Sequence, residues 1–178
     1  VGMDVSRDAI ELSRANAAVL LDSRGQRSVN FMTGDFGHIH TLAGEERPRG
    51  LFDLVVCNPP YLDQALQDRL ISRAPELLAE PPTALFAADG GTAAYTAIVA
   101  SLAACKPPVL SPEAVLLFEL GKGTELAVQA AIDGLCLKLG IIGCKCTVID
   151  TPRTKMKDQH VGQSRGYVLE VRGLATSK

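Results

Sequence analysis

At the centre of the chain lies the run Leu51-Phe52-Asp53-Leu54-Val55-Val56-Cys57-Asn58-Pro59-Pro60-Tyr61. Its first seven residues are mostly apolar, and so short an apolar run predicts a buried β-strand. The prolines of the tetrapeptide that follows end the strand, because proline lacks the backbone N–H that a strand ladder needs. In open α/β sheets ligands bind beyond the carboxyl ends of the strands, so the tetrapeptide lies where a site is expected.

The tetrapeptide at 58–61 suits the binding of a planar NH2 group. The Asn58 side chain offers a carbonyl acceptor and an NH2 donor, and the prolines offer backbone carbonyls without a competing N–H. Each residue before a proline is held extended, and the Tyr61 ring offers a face to a planar group or a sulfonium cation. Such groups can hold an amide or amine nitrogen in line with an electrophilic methyl. The alternative is that Pro-Pro only ends the strand and Tyr61 caps the core.

Segments with strand and helix periodicity alternate along the rest of the chain. This order predicts an α/β fold with a doubly wound, mostly parallel sheet. The last two strands are joined by a loop without a clear helix, which predicts an antiparallel pair at one edge. Ser6 is the predicted N-cap of the first helix. The predicted strands cover residues 1–5, 29–33, 52–57, 115–120, 146–149 and 166–171, and the predicted helices cover 6–21, 62–78 with a break at Pro75, 91–105 and 124–139.

Three segments carry a family resemblance. The tetrapeptide resembles the motif of class I S-adenosylmethionine-dependent methyltransferases that act on amide or amine nitrogens. Glu80-Pro81-Pro82-Thr83-Ala84-Leu85-Phe86, followed by Asp89-Gly90-Gly91 and Tyr95, is similar to a segment of the HemK-like glutamine methyltransferases, which modify peptide chain release factors. Leu117-Phe118-Glu119-Leu120-Gly121 resembles the next strand of that family.

The resemblance runs from Val1 to about Gly173 and implies one methyltransferase catalytic domain over residues 1–178 with the Rossmann-like class I fold. The reaction implied is N5-methylation of a glutamine side chain in a release factor, with S-adenosyl-L-methionine as the cofactor. The residues that match the family's catalytic motif are Asn58, Pro59, Pro60 and Tyr61.

The same resemblance implies two sets of binding residues. In the substrate set, Asn58 and the Pro59 carbonyl would hold the amide, Tyr61 would stack on it, and Glu80 would contact the peptide or orient the helix beyond the motif. In the cofactor set, Asp4 matches the carboxylate that binds the ribose hydroxyls, and Asp35 matches the acidic residue near the adenine amine. From the residues alone, Asp4 is also explained as a helix-entry carboxylate and Asp35 as a turn residue. The implied cofactor-binding residues are Asp4, Val5, Asp35, Phe36 and Asn58.

One feature of the family is absent before Asp4: the glycine-rich turn that follows its first strand and wraps the methionine part of the cofactor. Gly121-Lys122-Gly123 comes too late and matches a later strand end. We therefore expect an N-terminally incomplete domain that begins at the second strand, with a gap in the sheet where the first strand would lie. Backbone groups of the flanking strands would lose partners, and this chain alone would bind the cofactor weakly or not at all.

Composition narrows the function classes. The 178 residues are 47% hydrophobic, enough for one core, and the net charge of −2 with pI ≈ 5.9 argues against a wide nucleic-acid-binding face. Five cysteines in mostly apolar settings predict reduced thiols, not a disulfide framework, and no metal site is expected. No apolar run approaches the length of a membrane span. We expect a monomer in the cytoplasm or the mitochondrion.

Two other functions remain open. An adenine-N6 DNA or RNA methyltransferase uses the same tetrapeptide, but it needs basic and base-flipping contacts, and the basic stretch at 153–160 is the only such patch. A non-catalytic binding subunit that has lost the cofactor loop is the third interpretation. Contact with nucleic acid is otherwise expected only through the ribosome.

Overall fold

The computed structural model describes residues 1–42, 51–151 and 166–174, and the basic stretch at 153–160 lies outside these ranges. The strands are β1 (Gly2–Asp4), β2 (Phe31–Thr33), β3 (Phe52–Cys57), β4 (Leu62–Asp63), β5 (Phe86–Ala87), β6 (Leu110–Leu120), β7 (Lys145–Thr151) and β8 (Gly166–Arg172). The helices are α1 (Arg7–Leu20), α2 (Ser23–Ser28), α3 (Gln67–Arg73), α4 (Pro82–Leu85), α5 (Ala88–Gly91), α6 (Ala93–Ala103) and α7 (Glu125–Lys138), with 3₁₀ segments at Phe36–Thr41, Gln64–Leu66 and Pro75–Ala79.

The strands of the described ranges form three sheets. The largest has the order β3-β6-β8-β7, in which β3 and β6 run parallel and β8 is antiparallel to both of its neighbours. The pairs β1–β2 and β4–β5 are parallel. The predicted α/β fold, with a mostly parallel arrangement and an antiparallel pair at one edge, is confirmed.

The core lies between the four-stranded sheet and the helices α6 and α7. From Ala114 to Leu120 alternate residues of β6 are buried, as the two-residue period of a strand requires. The buried positions on each helix recur every three or four residues. The core residues of these elements are Leu116, Phe118 and Leu120 on β6, Tyr95, Ile98, Val99 and Leu102 on α6, Val128, Ile132 and Cys136 on α7, and Leu169 and Val171 on β8.

Helix α1 begins as the sequence predicts. The Ser6 hydroxyl accepts a 3.2 Å hydrogen bond from the Ala9 N–H. Apolar residues at helical spacing continue to Leu20, but Ile10 is the buried one: Val19 and Leu20 are 84% and 78% exposed. The helix packs on β1 and β2, which have three residues each and are too short to cover its second half.

Two predicted elements differ from the structure by more than two residues. β6 begins at Leu110, before the predicted start at residue 115, because Phe52 pairs with Leu110 and Leu54 with Val115. The residues between include Pro112, which cannot donate to a strand ladder, so the regular apolar pattern starts only at Val115. The predicted helix at 62–78 is instead strand β4, then 3₁₀ and α-helical turns, with the expected break at Pro75.

Candidate functional site

The tetrapeptide lies at the carboxyl end of β3, the edge at which the sequence predicts a site. Pro59 is fully buried, Pro60 and Tyr61 are half-buried, and Asn58 is exposed. Within the described ranges the Asn58 side chain makes no hydrogen bond, so its carbonyl and its amide are both free for an incoming group. The buried ring of Pro59 holds the backbone while the polar side chain before it stays accessible.

Two glycines set the position of Tyr61. A Cβ at Gly121, just after β6, would lie 2.5 Å from Cδ2 of the Tyr61 ring, so the ring lies directly on the Gly121 backbone. A Cβ at Gly91, whose φ is +88°, would overlap the Tyr61 carbonyl oxygen and lie 2.9 Å from the carbonyl carbon. Tyr61 is therefore held through its ring and its backbone by positions that accept only glycine without rearrangement.

Tyr95 on α6 is fully buried next to the end of β6. Its hydroxyl donates a 2.9 Å hydrogen bond to the Glu119 backbone carbonyl, and its ring packs edge-on against Phe118 with the centroids 5.6 Å apart. The sequence marks Tyr95 only as part of a family-like pattern. The apolar surroundings in α6 predict its burial, and a buried tyrosine needs a hydrogen-bond partner, but only the tertiary structure shows which one.

Two carboxylates act electrostatically on Tyr61. Burial raises the pKa of the Tyr61 phenol, and the negative charges of Glu119 and Glu80 raise it further. The phenol therefore stays protonated through neutral pH. Glu80, from the predicted substrate-binding set, is exposed and lies within electrostatic reach of the tetrapeptide.

Cys57, the last residue of β3, packs against the core, and burial raises the pKa of its thiol to about 11 from an ordinary value of 9.0. In the unfolded chain the thiol ionises near its ordinary pKa of 9.0, whereas in the folded chain it keeps its proton to higher pH. The contribution of Cys57 to the free energy of unfolding is therefore fully present below pH 9 and is lost as the pH rises towards 11. We expect Cys57→Ala to reduce the loss of unfolding free energy between pH 8 and pH 10 by about 1 kcal/mol.

The measurement is urea unfolding of both proteins at the two pH values in the presence of a reductant. The comparison of pH losses removes the cost of the truncation itself, because that cost is present at both pH values. Equal losses in the two proteins would contradict the raised pKa of Cys57.

The acidic residues predicted to bind the cofactor lie at the carboxyl ends of β1 and β2. The Asp4 Oδ1 accepts a 2.8 Å hydrogen bond from the Ser6 N–H, and the Asp4 backbone carbonyl accepts one from Gly34 at 2.9 Å. The Asp35 Oδ1 accepts from the Gly37 N–H at 2.7 Å, and its Oδ2 lies 2.9 Å from Nδ1 of His38. Burial alone would raise the pKa of Asp35, but the hydrogen bonds from Gly37 and His38 outweigh it and lower that pKa.

These contacts fit the predicted cofactor roles unequally. Asp4 is exposed and has one carboxylate oxygen without a partner in the described ranges, so it can accept hydrogen bonds from a diol. Each oxygen of Asp35 already accepts one hydrogen bond, so a ligand amine would share an oxygen with Gly37 or His38 or replace one of them. Val5 is 55% exposed, and Phe36 packs against the core with part of its ring accessible.

The predicted site residues thus fall into two groups. Asp4 and Asp35 are brought together by the parallel pairing of β1 and β2, while the tetrapeptide lies with Gly91, Tyr95 and Gly121 at the end of β3 and β6. The two sheets are separate in the described part of the chain. They are connected by packing, since the 3₁₀ segment Phe36–Thr41 lies on α6, where His40 hydrogen-bonds to the buried Ser101 hydroxyl.

The remaining ionisable groups of the described residues do not form a metal centre. Among the residues that the structure describes, there is no group of three or more His, Cys, Asp or Glu side chains that could hold a metal ion. All five cysteines are free thiols, as the sequence predicts, and the Cys136 thiol donates a hydrogen bond to the Cys144 sulfur at 2.8 Å. In the same ranges no helix is long and apolar enough to span a membrane.

Several curated proteins are similar to this chain in sequence. It is 37% identical to the release factor glutamine methyltransferase of Deinococcus radiodurans over 117 residues, which are 66% of this chain and 35% of that protein. It is 30% identical to the ribosomal protein uL3 glutamine methyltransferase of Bradyrhizobium diazoefficiens over 129 residues, 72% of this chain and 35% of that protein. The chain therefore spans about a third of the length of these relatives. No family model matches it.

Solved structures show the same fold at low sequence identity. TrmN from Thermus thermophilus matches with a TM-score of 0.53 and 13% identity over 96% of this chain and 35% of its own. The hMettl16 catalytic domain in complex with a MAT2A 3′UTR hairpin matches with a TM-score of 0.53 and 13% identity over 98% of this chain and 63% of its own. These matches show the class I methyltransferase fold.

Proposed function

This chain is a relative of the release-factor and ribosomal-protein glutamine methyltransferases, and from that premise we propose that it is catalytic. It forms part of an S-adenosyl-L-methionine-dependent enzyme that methylates N5 of a glutamine side chain. The observation that carries the proposal is the free, exposed Asn58 side chain at the end of β3, in the same tetrapeptide as Tyr61, whose ring lies on Gly121 and whose carbonyl lies against Gly91. An amide nitrogen is a poor nucleophile because its lone pair is delocalised, so its orientation matters most.

In this mechanism the chain holds the amide and the solvent takes the proton. The Asn58 side-chain carbonyl accepts one N–H of the glutamine amide, and the Tyr61 ring covers the planar group. The Pro59 backbone carbonyl is the proposed acceptor of the other N–H; because Pro59 is fully buried in this structure, the motif has to open at Pro59 when the substrate binds. When bound, S-adenosyl-L-methionine supplies an electrophilic methyl on a positively charged sulfur. The proton on the alkylated nitrogen becomes acidic and leaves to water, so no side-chain base is required.

The proposed cofactor-binding residues are Asp4 for the ribose hydroxyls and Asp35 for the adenine amine, with Val5 and Phe36 beside the base. Two observations support this assignment. Both carboxylates follow adjacent parallel strands at their carboxyl ends, which is where ligands of open α/β sheets bind. Asp4 also keeps a free oxygen.

A peptide chain release factor is the proposed substrate. Release factor methyltransferases match this chain at 29% to 37% identity and uL3 methyltransferases at 30% and 33%, so identity does not separate the two substrates. The support for a release factor is the resemblance of the segment Glu80–Phe86 to the HemK-like enzymes. The compartment would then be one in which translation occurs, the cytoplasm or the mitochondrion. We propose a monomer that contacts nucleic acid only through the ribosome.

The test has a binding step and a transfer step. S-adenosyl-L-methionine is titrated by calorimetry into the 178-residue chain and into a version extended through the upstream coding sequence. Whichever binds is then incubated with the cofactor and a release factor, ribosomal protein uL3 or an adenine-containing oligonucleotide, and the products are analysed by mass spectrometry. We expect one added methyl group on a release-factor glutamine.

Other outcomes separate the alternatives. Methylation of uL3 alone would replace the proposed substrate but keep the reaction, and methylation of adenine alone would replace the reaction. Binding of the cofactor by neither version would favour a non-catalytic binding subunit.

A further inference from the structure

The Tyr95 hydroxyl lies between two backbone groups at the end of β6. It donates to the Glu119 carbonyl at 2.9 Å, and the Gly121 backbone N–H is near enough to act on the pKa of the phenol, which it lowers. Burial is the main cause that raises the pKa of Tyr95, so the phenol keeps its proton and remains a donor to that carbonyl. This hydrogen bond anchors the backbone at Glu119, two residues before Gly121.

This segment is also the surface on which Tyr61 lies. The Tyr61 ring contacts the Gly121 backbone so closely that a Cβ there would lie 2.5 Å from the ring. A small change in the direction of the backbone at Gly121 would therefore move the ring. Tyr95 is close enough to Tyr61 for the charge of one phenol to affect the other, yet it makes no hydrogen bond to that residue.

Packing alone does not require the hydroxyl. The Tyr95 ring lies in an apolar cluster with Phe118, Val99 and Leu102, where a phenylalanine of the same shape would fill the same space. A phenol in such a place carries a desolvation cost unless its hydroxyl is bonded. The distinctive contribution of the hydroxyl is the hydrogen bond to the Glu119 carbonyl.

We propose that Tyr95 is a positioning residue for Tyr61. Its hydroxyl holds the segment 119–121 in the conformation on which the Tyr61 ring lies. The catalytic consequence rests on the proposed function, in which Tyr61 covers the amide, but the positioning itself is a property of this chain.

The test uses the tyrosines as reporters. The chain has three tyrosines, Tyr61, Tyr95 and Tyr167, so labelling with 3-fluorotyrosine gives three fluorine resonances, and Tyr61→Phe assigns that of Tyr61. Gly121→Ala displaces the Tyr61 ring directly and gives the reference shift of the Tyr61 resonance. In Tyr95→Phe we expect that resonance to shift in the same direction. Tyr167→Phe is the matched control, because it removes a phenol hydroxyl that makes no hydrogen bond in the described ranges. Tyr167 lies nearby, since it is the strand partner of Leu120.

The kinetic constants of methyl transfer are then measured on whichever form of the protein, the 178-residue chain or the extended version, transfers methyl groups. Tyr95→Phe is expected to lower kcat about tenfold through the loss of one hydrogen bond, with the KM for the cofactor unchanged. A Tyr61 resonance that does not move in Tyr95→Phe, while Gly121→Ala moves it, would overturn the proposal. A shifted resonance in a protein without methyl transfer would support the positioning role and count against the proposed function instead.

Discussion

Replacement of Asn58 by alanine is expected to lower methyl transfer by about a hundred- to a thousandfold, the usual effect of removing a preorganised polar partner of a reacting group. The loss follows from the mechanism, because without the side-chain carbonyl one N–H of the substrate amide has no partner and the nitrogen is no longer held in one orientation. The same change should alter the unfolding free energy by less than about 0.5 kcal/mol, since Asn58 is exposed and makes no hydrogen bond in the described ranges.

The measurement is kcat/KM for glutamine methylation, together with urea unfolding of the same preparation. Asn30→Ala is a suitable control, because Asn30 is also exposed but precedes β2 at the opposite end of its strand. If Asn58→Ala keeps kcat/KM within threefold of the unchanged protein, a change of about 0.7 kcal/mol in the activation free energy, Asn58 is not part of the mechanism.

Gly91→Ala is expected to cost about 3 kcal/mol or more of unfolding free energy. Two effects add: the φ of +88° is strained for any residue with a Cβ, and that Cβ would overlap the Tyr61 carbonyl oxygen. The contact is with backbone that follows two prolines, so it has little freedom to move aside. Tyr61 should be displaced as a consequence.

The neighbouring glycine separates these two effects. Gly90 has a similar φ of +66°, but a Cβ there would meet nothing within 4 Å, so Gly90→Ala should cost only the backbone strain of about 1 kcal/mol. Urea unfolding of both variants gives the cost of the overlap as the difference between them. If the two variants are equally stable, Gly91 does not make the close contact with Tyr61 described above.

Local patterns were enough for many elements of this fold. The extent of β3, its end at the prolines, the Ser6 cap and the antiparallel partners at the chain's end follow from rules that involve neighbouring residues. Those rules failed where distant elements decide the outcome. Val19 and Leu20 are apolar at helical spacing but exposed, because burial depends on what covers a helix.

The candidate site shows the same division. The sequence by itself determined that a stiff, polar tetrapeptide ends a parallel strand, because proline chemistry and strand periodicity act within a few residues. Only the tertiary structure decided that Tyr61 lies on Gly121, that Gly91 touches its carbonyl and that Tyr95 reaches Glu119. These contacts join residues far apart in the chain, and close packing selects them from many chemically equivalent partners, so no local pattern can specify them.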